Sequence, residues 1–256
     1  MDAFETKLES MRGSIRALSD LALFPKRIEI RGAEHFVREG PNVIVGNHIG
    51  SYKDVGLLFK IAPRPIFFTA NILIFDRDDF SRLVRKHLVR HMKKFGVFLH
   101  LLINPLIAYI VHYVSSNIAR IGSIPVRLDG SRAEAIRKCE AYLRKGRAVI
   151  ALQGRGRVRS REPHPYVAAF RRGPAVMAFN LLKADGLDLP VTPVSFFGTH
   201  IMWSVPSTIR VHVGPPMYIR DHLKGDDSAV IEAFRAALEA AVGSLFRESL
   251  HWRKTL

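Results

Sequence analysis

The sequence predicts an α/β fold, a single domain in which a mixed central sheet is flanked by helices. Short apolar runs of strand length alternate along the chain with segments that have helical spacing. The 256 residues are 48% hydrophobic, which is ample for one continuous core. No internal repeat or low-complexity linker interrupts the sequence. One domain is therefore expected.

The individual elements follow from hydrophobic spacing. Apolar residues at 4, 8, 11, 15, 18 and 22 predict an opening amphipathic helix that Pro25 ends. Its polar face mixes both charges, which favours packing on the core over lying on a membrane. This helix and a lead-in strand make up residues 1–40, ahead of the main domain at 41–256. The predicted strands are 28–31, 42–46, 65–70, 148–152, 189–196 and 209–213, and the further predicted helices are 54–61, 79–95, 131–145, 174–183 and one from Asp227.

The charge balance indicates an anionic partner. The formal net charge is +16, which suits nucleic acid, an anionic membrane surface or acidic substrates. Nucleic acid is disfavoured because no aromatic base-stacking signature accompanies the basic residues. The single cysteine, Cys139, excludes an internal disulfide and a multi-cysteine zinc site. The N-terminus does not resemble a secretory signal, so we expect the protein inside the cell.

An uncharged stretch runs from Phe95 to Ala119, 25 residues without Asp, Glu, Lys or Arg. Its length would permit a transmembrane helix. If residues on both sides of the stretch form one site, however, the chain cannot cross the membrane only once, and two crossings need about 40 residues. His100, His112 and a break at Asn104-Pro105 also oppose a single span. Two alternatives remain, a re-entrant or interfacial hairpin and a buried pair of helices. We expect an apolar, membrane-facing insertion here, with the protein peripheral or monotopic on the cytoplasmic face.

The first candidate site is a histidine at the end of a predicted strand. Residues 47–54 read Asn-His-Ile-Gly-Ser-Tyr-Lys-Asp and directly follow an apolar run at 43–45. A histidine with a carboxylate nearby suits general-base chemistry, because His48 can take a proton from a hydroxyl while Asp54 fixes its tautomer. No serine nucleophile is then required. Alone the pair is a weak signal, since 11 histidines and 23 acidic residues produce such spacings by chance.

Three further segments strengthen that signal because they follow in a set order. Residues 122–127 read Gly-Ser-Ile-Pro-Val-Arg, residues 152–160 read Leu-Gln-Gly-Arg-Gly-Arg-Val-Arg-Ser, and residues 191–194 read Val-Thr-Pro-Val. Together with Asn47-His48 they resemble the four blocks of the glycerolipid acyltransferase family, the lysophosphatidic acid acyltransferases and their relatives. The resemblance covers roughly residues 41–215.

The resemblance implies roles for the first pair. In that family the first block is His, four residues, Asp, and it supplies the base and its orienter for acyl transfer from a thioester to a glycerolipid hydroxyl. His48 and Asp54 match these positions with five intervening residues. The Gly50-Ser51 turn is expected to absorb the extra residue as a bulge, since glycine tolerates unusual backbone angles. A loop that ran straight into a helix would turn the carboxylate about 100° away.

The third block, usually Pro-Glu-Gly-Thr-Arg-Ser, helps the family bind the acceptor and its phosphate. Here Gln153 replaces the glutamate, Gly154 is retained, and the arginine is displaced or duplicated at Arg155 and Arg157. Guanidinium groups bind phosphate oxygens in bidentate fashion, and arginines that alternate through Arg161 would line one side of an extended segment. A solvated basic loop is the alternative. Backbone amides near Gly154 are candidates for steadying an oxyanion.

The second and fourth blocks complete the implied substrate site. The arginine of the second block comes one residue early and lacks the preceding aspartate, and the proline of the fourth block resembles an acyl-binding wall or an ordinary strand end. The neutral glutamine of the third block favours an acceptor other than ordinary lysophosphatidic acid. The implied substrate-binding residues are Asn47, Arg127, Gln153, Gly154, Arg155, Arg157 and Pro193.

These observations predict a membrane-associated O-acyltransferase. It would transfer a fatty acyl group from acyl coenzyme A or acyl carrier protein to a lysolipid-like hydroxyl, with transfer to an amine less favoured. The alternative is a catalytically silent relative that binds anionic lipid or an acyl carrier. No cofactor or metal is expected, since His87 and His91 share a helical face without an acidic third ligand. His200 and Trp203 suit packed positions better than a pocket.

Overall fold

A computed structural model describes residues 3–92, 96–126, 133–161, 164–202 and 205–252, with the backbone alone at 3, 5, 86–92 and 96–103. In these ranges the chain has an α/β fold of seven strands and eight α-helices, so the predicted fold class is confirmed. The strands are β1 (Arg27–Arg31), β2 (Asn42–His48), β3 (Ile66–Asn71), β4 (Ile124–Val126), β5 (Ala148–Gly154), β6 (Val191–Phe197) and β7 (Thr208–Val213), and the helices are α1 (Ala3–Ser10), α2 (Arg12–Leu23), α3 (Tyr52–Ile61), α4 (Arg77–Met92), α5 (Gly96–Ile118), α6 (Ala133–Arg144), α7 (Gly173–Asp185) and α8 (Asp227–Leu250).

The described residues fall into two units, and the larger one spans 11–66 and 136–252. Its sheet has the strand order β1-β7-β6-β2-β5. Strand β2 pairs in parallel with β5 and β6, β1 pairs in parallel with β7, and β6 and β7 are antiparallel. The sheet is therefore mixed, as predicted. The lead-in strand β1 belongs to this sheet.

Strand β2 brings two of the sequence blocks to the same edge. Its apolar run, Val43 to Val45, is buried because strands pair with it on both sides. Parallel strands end at the same edge, and the register places His48 opposite Gly154 and Asn47 opposite Gln153. In open α/β sheets, ligands bind outside the carboxyl ends of strands. The edge that carries the first and third blocks is therefore the natural position for a site.

Two helices of the larger unit show how its core is closed. Helix α8 packs on β6 and β7 through Val230, Phe234, Leu238 and Val242, which recur at helical spacing and are buried. The Asp226 side chain caps this helix by accepting a hydrogen bond from the Ala229 amide at 2.8 Å. The predicted helix from Asp227 is confirmed.

Helix α2 packs closely on α3 in the same unit. A β-carbon on Gly56 would lie 3.3 Å from Ser19 Oγ, and Lys60 forms an ion pair with Asp20 at 2.6 Å. Core packing of this segment is therefore confirmed, but one continuous opening helix is not. The chain forms α1 and α2 with Met11 between them, and Gly13 lowers helix propensity at that junction. The predicted start of α6 at residue 131 lies outside the described residues.

The smaller unit comprises residues 3–10 and the described part of 67–135. Strands β3 and β4 pair in parallel, and α4 packs on α5. The predicted break at Asn104-Pro105 is wrong, because α5 continues through Pro105. A proline removes one backbone hydrogen bond and bends a helix, whereas the flanking apolar residues retain theirs.

The uncharged stretch therefore forms one helix, and the prediction of a hairpin or helix pair within it is wrong. The helix that pairs with α5 is α4, which precedes the stretch. On α5, Ile107 and Val111 are buried while Leu106 and Tyr109 are exposed. Among the described residues, no helix combines the length and apolarity that a membrane crossing requires. Contact of α5 with a membrane stays a prediction.

Candidate active site

His48 and Asp54 are in contact at the carboxyl end of β2. His48 is the last residue of the strand, Asp54 lies in the first turn of α3, and His48 Nδ1 is 2.9 Å from Asp54 Oδ2. The Asp54 side chain is 0% exposed and that of His48 is 23% exposed. A carboxylate accepts hydrogen bonds only, so Nδ1 carries the proton and Nε2 is left as the acceptor. The prediction that the pair meets across the longer loop is confirmed.

The extra residue is absorbed at Ser51, not at the glycine before it. Ser51 has φ 56° and ψ −126°, and no other non-glycine residue in the described part of the chain has a positive φ. Such a conformation costs about 1–3 kcal/mol, and it persists where the surrounding structure enforces it. Helix α3 begins at once, since the Lys53 amide donates to the Gly50 carbonyl at 3.2 Å and the Asp54 amide to the Ser51 carbonyl at 3.3 Å.

The Asp54 carboxylate is held by its own loop. Besides His48, its Oδ2 accepts hydrogen bonds from the amides of Ile49 at 3.0 Å and Gly50 at 2.7 Å. Hydrogen bonds from amides to an ionised carboxylate are stronger than those between neutral groups. Within the described ranges, Oδ1 is buried without a hydrogen-bond partner. All of the polar contacts of this side chain therefore converge on the oxygen that faces His48.

Two lysines that the sequence reasoning missed hold the loop after β6. Lys53 is buried and donates a hydrogen bond to the Ile201 carbonyl. Lys26 donates to the carbonyls of Met202 and Val205 and to Ser207. Burial and the nearby charge of Lys26 lower the pKa of Lys53 to about 8, against an opposing effect of Asp54. The available signal was a lysine in the first helical turn, where the helix dipole disfavours a cation.

His200, on the same loop, is packed as predicted. Its ring contacts the edges of Tyr166 at 5.3 Å and Phe197 at 6.1 Å between centroids. Burial and the charge of Lys53 lower the pKa of His200. The shift favours the neutral form of this imidazole. Trp203 lies outside the described residues.

Asn47 ties β2 to β6 and to the segment around Tyr166. Its Nδ2 donates to the carbonyls of Tyr166 and Phe196, both at 3.0 Å, and its Oδ1 accepts from the Phe196 amide at 2.8 Å. The side chain is completely buried. Both of its donor hydrogens are used within the protein, so the geometry gives Asn47 the task of holding β2 to its surroundings.

Gln153 is also committed to backbone partners. Its Nε2 donates to the Ala151 carbonyl at 2.9 Å, and its Oε1 accepts from the Arg171 amide at 3.0 Å. The side chain is buried. The amide therefore fixes the segment around Arg171 to the end of β5.

The basic loop after β5 turns back across His48. Gly154 and Gly156 have φ of 128° and 69°, so the segment is not extended and its arginines do not alternate along one side. The Gly156 amide donates to the His48 carbonyl at 3.1 Å, and a β-carbon on Gly156 would lie 3.3 Å from His48 Nε2. Arg155 and Arg157, on either side of Gly156, are exposed. The loop thus carries two exposed arginines, and the glycine between them lies against His48 Nε2.

The other predicted residues take less central positions. Pro193 is buried within β6 and borders an apolar cavity of about 200 Å³. Arg127 and the side chains of His87 and His91 lie outside the described residues. Among the side chains that the structure describes, no group of three His, Cys, Asp or Glu residues is arranged to hold a metal ion. The cavity is lined by Pro193, Gly214, Pro215, Met217, Ala241, Ser244 and Leu245.

Comparison with solved structures identifies the fold. No protein-family model matches the sequence, and no curated protein matches it in a sequence search. The chain is similar to the crystal structure of the 1-acyl-sn-glycerophosphate (LPA) acyltransferase PlsC from Thermotoga maritima, with a TM-score of 0.59 and 17% sequence identity. The likeness covers 99% of this chain and 85% of that enzyme. The chain therefore has the fold of a glycerolipid acyltransferase.

Proposed function

We propose that this protein is an acyltransferase of phospholipid metabolism that moves a fatty acyl group from a thioester to the hydroxyl of a lysolipid-like acceptor. The observation that carries the proposal is the contact between His48 and Asp54, 2.9 Å long, at the carboxyl end of β2. It occurs in a fold shared with a 1-acyl-sn-glycerophosphate (LPA) acyltransferase.

The pair of His48 and Asp54, called the dyad below, supports a single displacement step. The acceptor hydroxyl gives its proton to His48 Nε2 while its oxygen attacks the thioester carbonyl, and the new ester forms as the carbon–sulfur bond breaks. The leaving thiolate receives the proton from the imidazolium. The buried Asp54 carboxylate stabilises that imidazolium through Nδ1, as a carboxylate does in triads of this type. No acyl-enzyme forms.

The basic loop supplies the proposed acceptor site. Arg155 and Arg157 are exposed on either side of Gly156, which lies close to His48 Nε2, the atom that would accept the proton of the acceptor hydroxyl. Guanidinium forks suit the phosphate of a lysolipid head group, and Arg127 is a further candidate by family resemblance. Gln153 is neutral and engaged with backbone, which favours a head group other than that of lysophosphatidic acid.

The acyl donor and the membrane contact complete the proposal. Acyl coenzyme A and acyl carrier protein are both anionic, so a net charge of +16 is compatible with either. The same charge favours an anionic membrane surface. On α5, Leu106 and Tyr109 expose apolar surface of the kind that enters a lipid interface. We place the protein on the cytoplasmic face, peripheral or monotopic.

Transfer of a labelled acyl group from each donor to a panel of lysolipids tests this function. His48→Ala is expected to lower the rate by about 10²- to 10⁴-fold, the usual contribution of a general base. The matched control is His251→Ala, since His251 is exposed at the end of α8. Wild-type turnover in His48→Ala would exclude the mechanism.

A second candidate function is that of a silent relative that binds anionic lipid or an acyl carrier. The engagement of Gln153 with backbone favours it, because the family's acidic group is missing from the acceptor site. This candidate predicts tight binding of lysolipid vesicles, no product, and binding unchanged by His48→Ala. Product formation by the wild-type protein would exclude it.

A further inference from the structure

Two buried polar atoms lie behind the dyad, and each is an orphan within the described residues. Asp54 Oδ1 has no hydrogen-bond partner there, and neither does Thr199 Oγ1. Both residues are completely buried. The large majority of buried side-chain polar atoms in proteins are hydrogen-bonded, so two neighbouring exceptions need an explanation.

Gly50 shows that these two atoms are close together. A β-carbon placed on Gly50 would lie 2.6 Å from Asp54 Oδ1 and 2.6 Å from Thr199 Oγ1. The two oxygens are therefore no farther apart than twice that distance. One is the acceptor of an ionised carboxylate and the other belongs to a hydroxyl, whose proton rotates to suit its partner. Because Gly50 has no β-carbon, the two side chains can lie this close together.

The segment that carries Thr199 is fixed in place. It follows β6 directly, and Lys53 and Lys26 hold the next residues through the carbonyls of Ile201 and Met202. Lys53 itself precedes Asp54 in α3. The same helix turn therefore positions the carboxylate and anchors the loop that brings the hydroxyl to it.

We propose that Thr199 is a positioning residue whose hydroxyl, by a small rotation of the side chain, donates a hydrogen bond to Asp54 Oδ1. The carboxylate is then held at both oxygens, with Oδ2 fixed by the amides of Ile49 and Gly50 and directed at His48. The expected effect of this Thr199 hydrogen bond on catalysis rests on the proposed acyltransferase function. The expected effect on the His48 proton does not rest on it.

Three variants separate this role from general packing. Thr199→Val removes the hydroxyl at nearly constant shape, and Thr199→Ser retains it. Thr192→Val is the matched control, since Thr192 is equally buried in β6 and its hydroxyl accepts a hydrogen bond from Asn42 at 2.9 Å. The first readout is the downfield proton NMR signal of His48 Nδ1–H without substrate, assigned by its loss in His48→Gln. The second readout is the pair of kinetic constants kcat and KM for acyl transfer, each determined separately.

Thr199→Val is expected to shift the Nδ1–H signal and to lower kcat about tenfold at unchanged KM. Residues that orient metal ligands in metalloenzymes have effects of this size. Thr199→Ser and Thr192→Val are expected to retain the wild-type signal and kcat within about twofold. A wild-type signal in Thr199→Val, or an equal shift in Thr192→Val, would overturn the proposal. If no acyl transfer occurs at all, the acyltransferase proposal fails while the NMR result still decides the role of Thr199.

Discussion

The dyad and the basic loop lie at the same edge of the sheet and are built in opposite ways. Around Asp54 the described contacts are buried, short and supplied largely by backbone amides. After Gly154 the arginines are exposed, and two glycines with positive φ set the path of the loop. The groups proposed to transfer the proton are therefore fixed in advance, whereas those proposed to bind the head group can adjust. Substitutions around Asp54 should therefore lower kcat, whereas substitutions in the basic loop should raise KM.

The largest effect is expected at the rigid region, from Asp54→Asn. The amide presents a donor to His48 and stabilises the wrong tautomer, so kcat should fall about 10³- to 10⁴-fold, as in other histidine–carboxylate pairs. Asp185→Asn is the control, since Asp185 is exposed on α7. Steady-state kinetics and thermal unfolding measure the outcome. A folded Asp54→Asn protein with wild-type kcat would contradict the proposed function of the dyad.

A smaller effect is expected where the rigid region has no spare room. In Gly50→Ala the new β-carbon would lie 2.4 Å from Thr199 Cβ and 2.6 Å from Asp54 Oδ1, so the carboxylate or the loop must move. We expect kcat to fall about 10²-fold, the usual effect of a small misplacement, and stability to fall by about 1–3 kcal/mol. Gly173→Ala is the control, because nothing lies within 4 Å of its added carbon. Equal kcat and equal melting temperature in both variants would refute the close approach of Gly50 to Thr199 and Asp54.

The basic loop should respond in KM and with salt. Arg155→Ala and Arg157→Ala are each expected to raise KM for a phosphate-bearing acceptor about tenfold, the value of one charge-assisted hydrogen bond, and to leave kcat nearly unchanged. Added salt should shrink the difference from the wild type because the groups are exposed. Arg161→Ala, farther along the exposed chain, is the control. A fall in kcat at constant KM would place these arginines in the chemical step instead.

The smallest effect concerns Lys53 and the pH dependence of stability. Its pKa falls from an ordinary value near 10.5 to about 8 on burial, so between these values the unfolded chain binds more protons than the folded one. Stability contributed by this group should therefore rise as pH increases from about 8 to 10.5. The free energy of unfolding, measured with denaturant at each pH, is compared between the wild type and Lys53→Met, and the difference isolates the rise. The same difference for the exposed Lys145→Met should stay flat, and a flat Lys53 difference would refute the lowered pKa.

Sequence alone could predict the parts of the site that depend on local patterns. The strand before His48, the helix that contains Asp54 and the turn between them follow from hydrophobic spacing and a Gly-Ser pair. Even there, the strained residue is Ser51 rather than Gly50, because Gly50 is needed for its missing side chain beside Thr199. Local rules identify the elements but not the residue that meets a distant segment.

The rest depended on contacts between residues far apart in sequence. The hydroxyl of Thr199 has no motif, and only the fold brings it to Asp54. The engagement of Gln153 with the Arg171 amide likewise needs the loop that follows β5. Helix α5 continues through Pro105 despite a strong local breaking signal, since tertiary context overrides propensity there.

The central claim is that His48, held by Asp54, catalyses direct acyl transfer. Its most direct test is a single-turnover reaction of the purified protein with an acyl thioester and a lysolipid, followed by mass spectrometry of both lipid and intact protein. Direct transfer predicts an amount of acylated lipid equal to the thiol released, an unmodified protein mass throughout, and loss of both products in His48→Gln. Acylated lipid formed at the wild-type rate by His48→Gln, or an acylated protein on the reaction path, would contradict it.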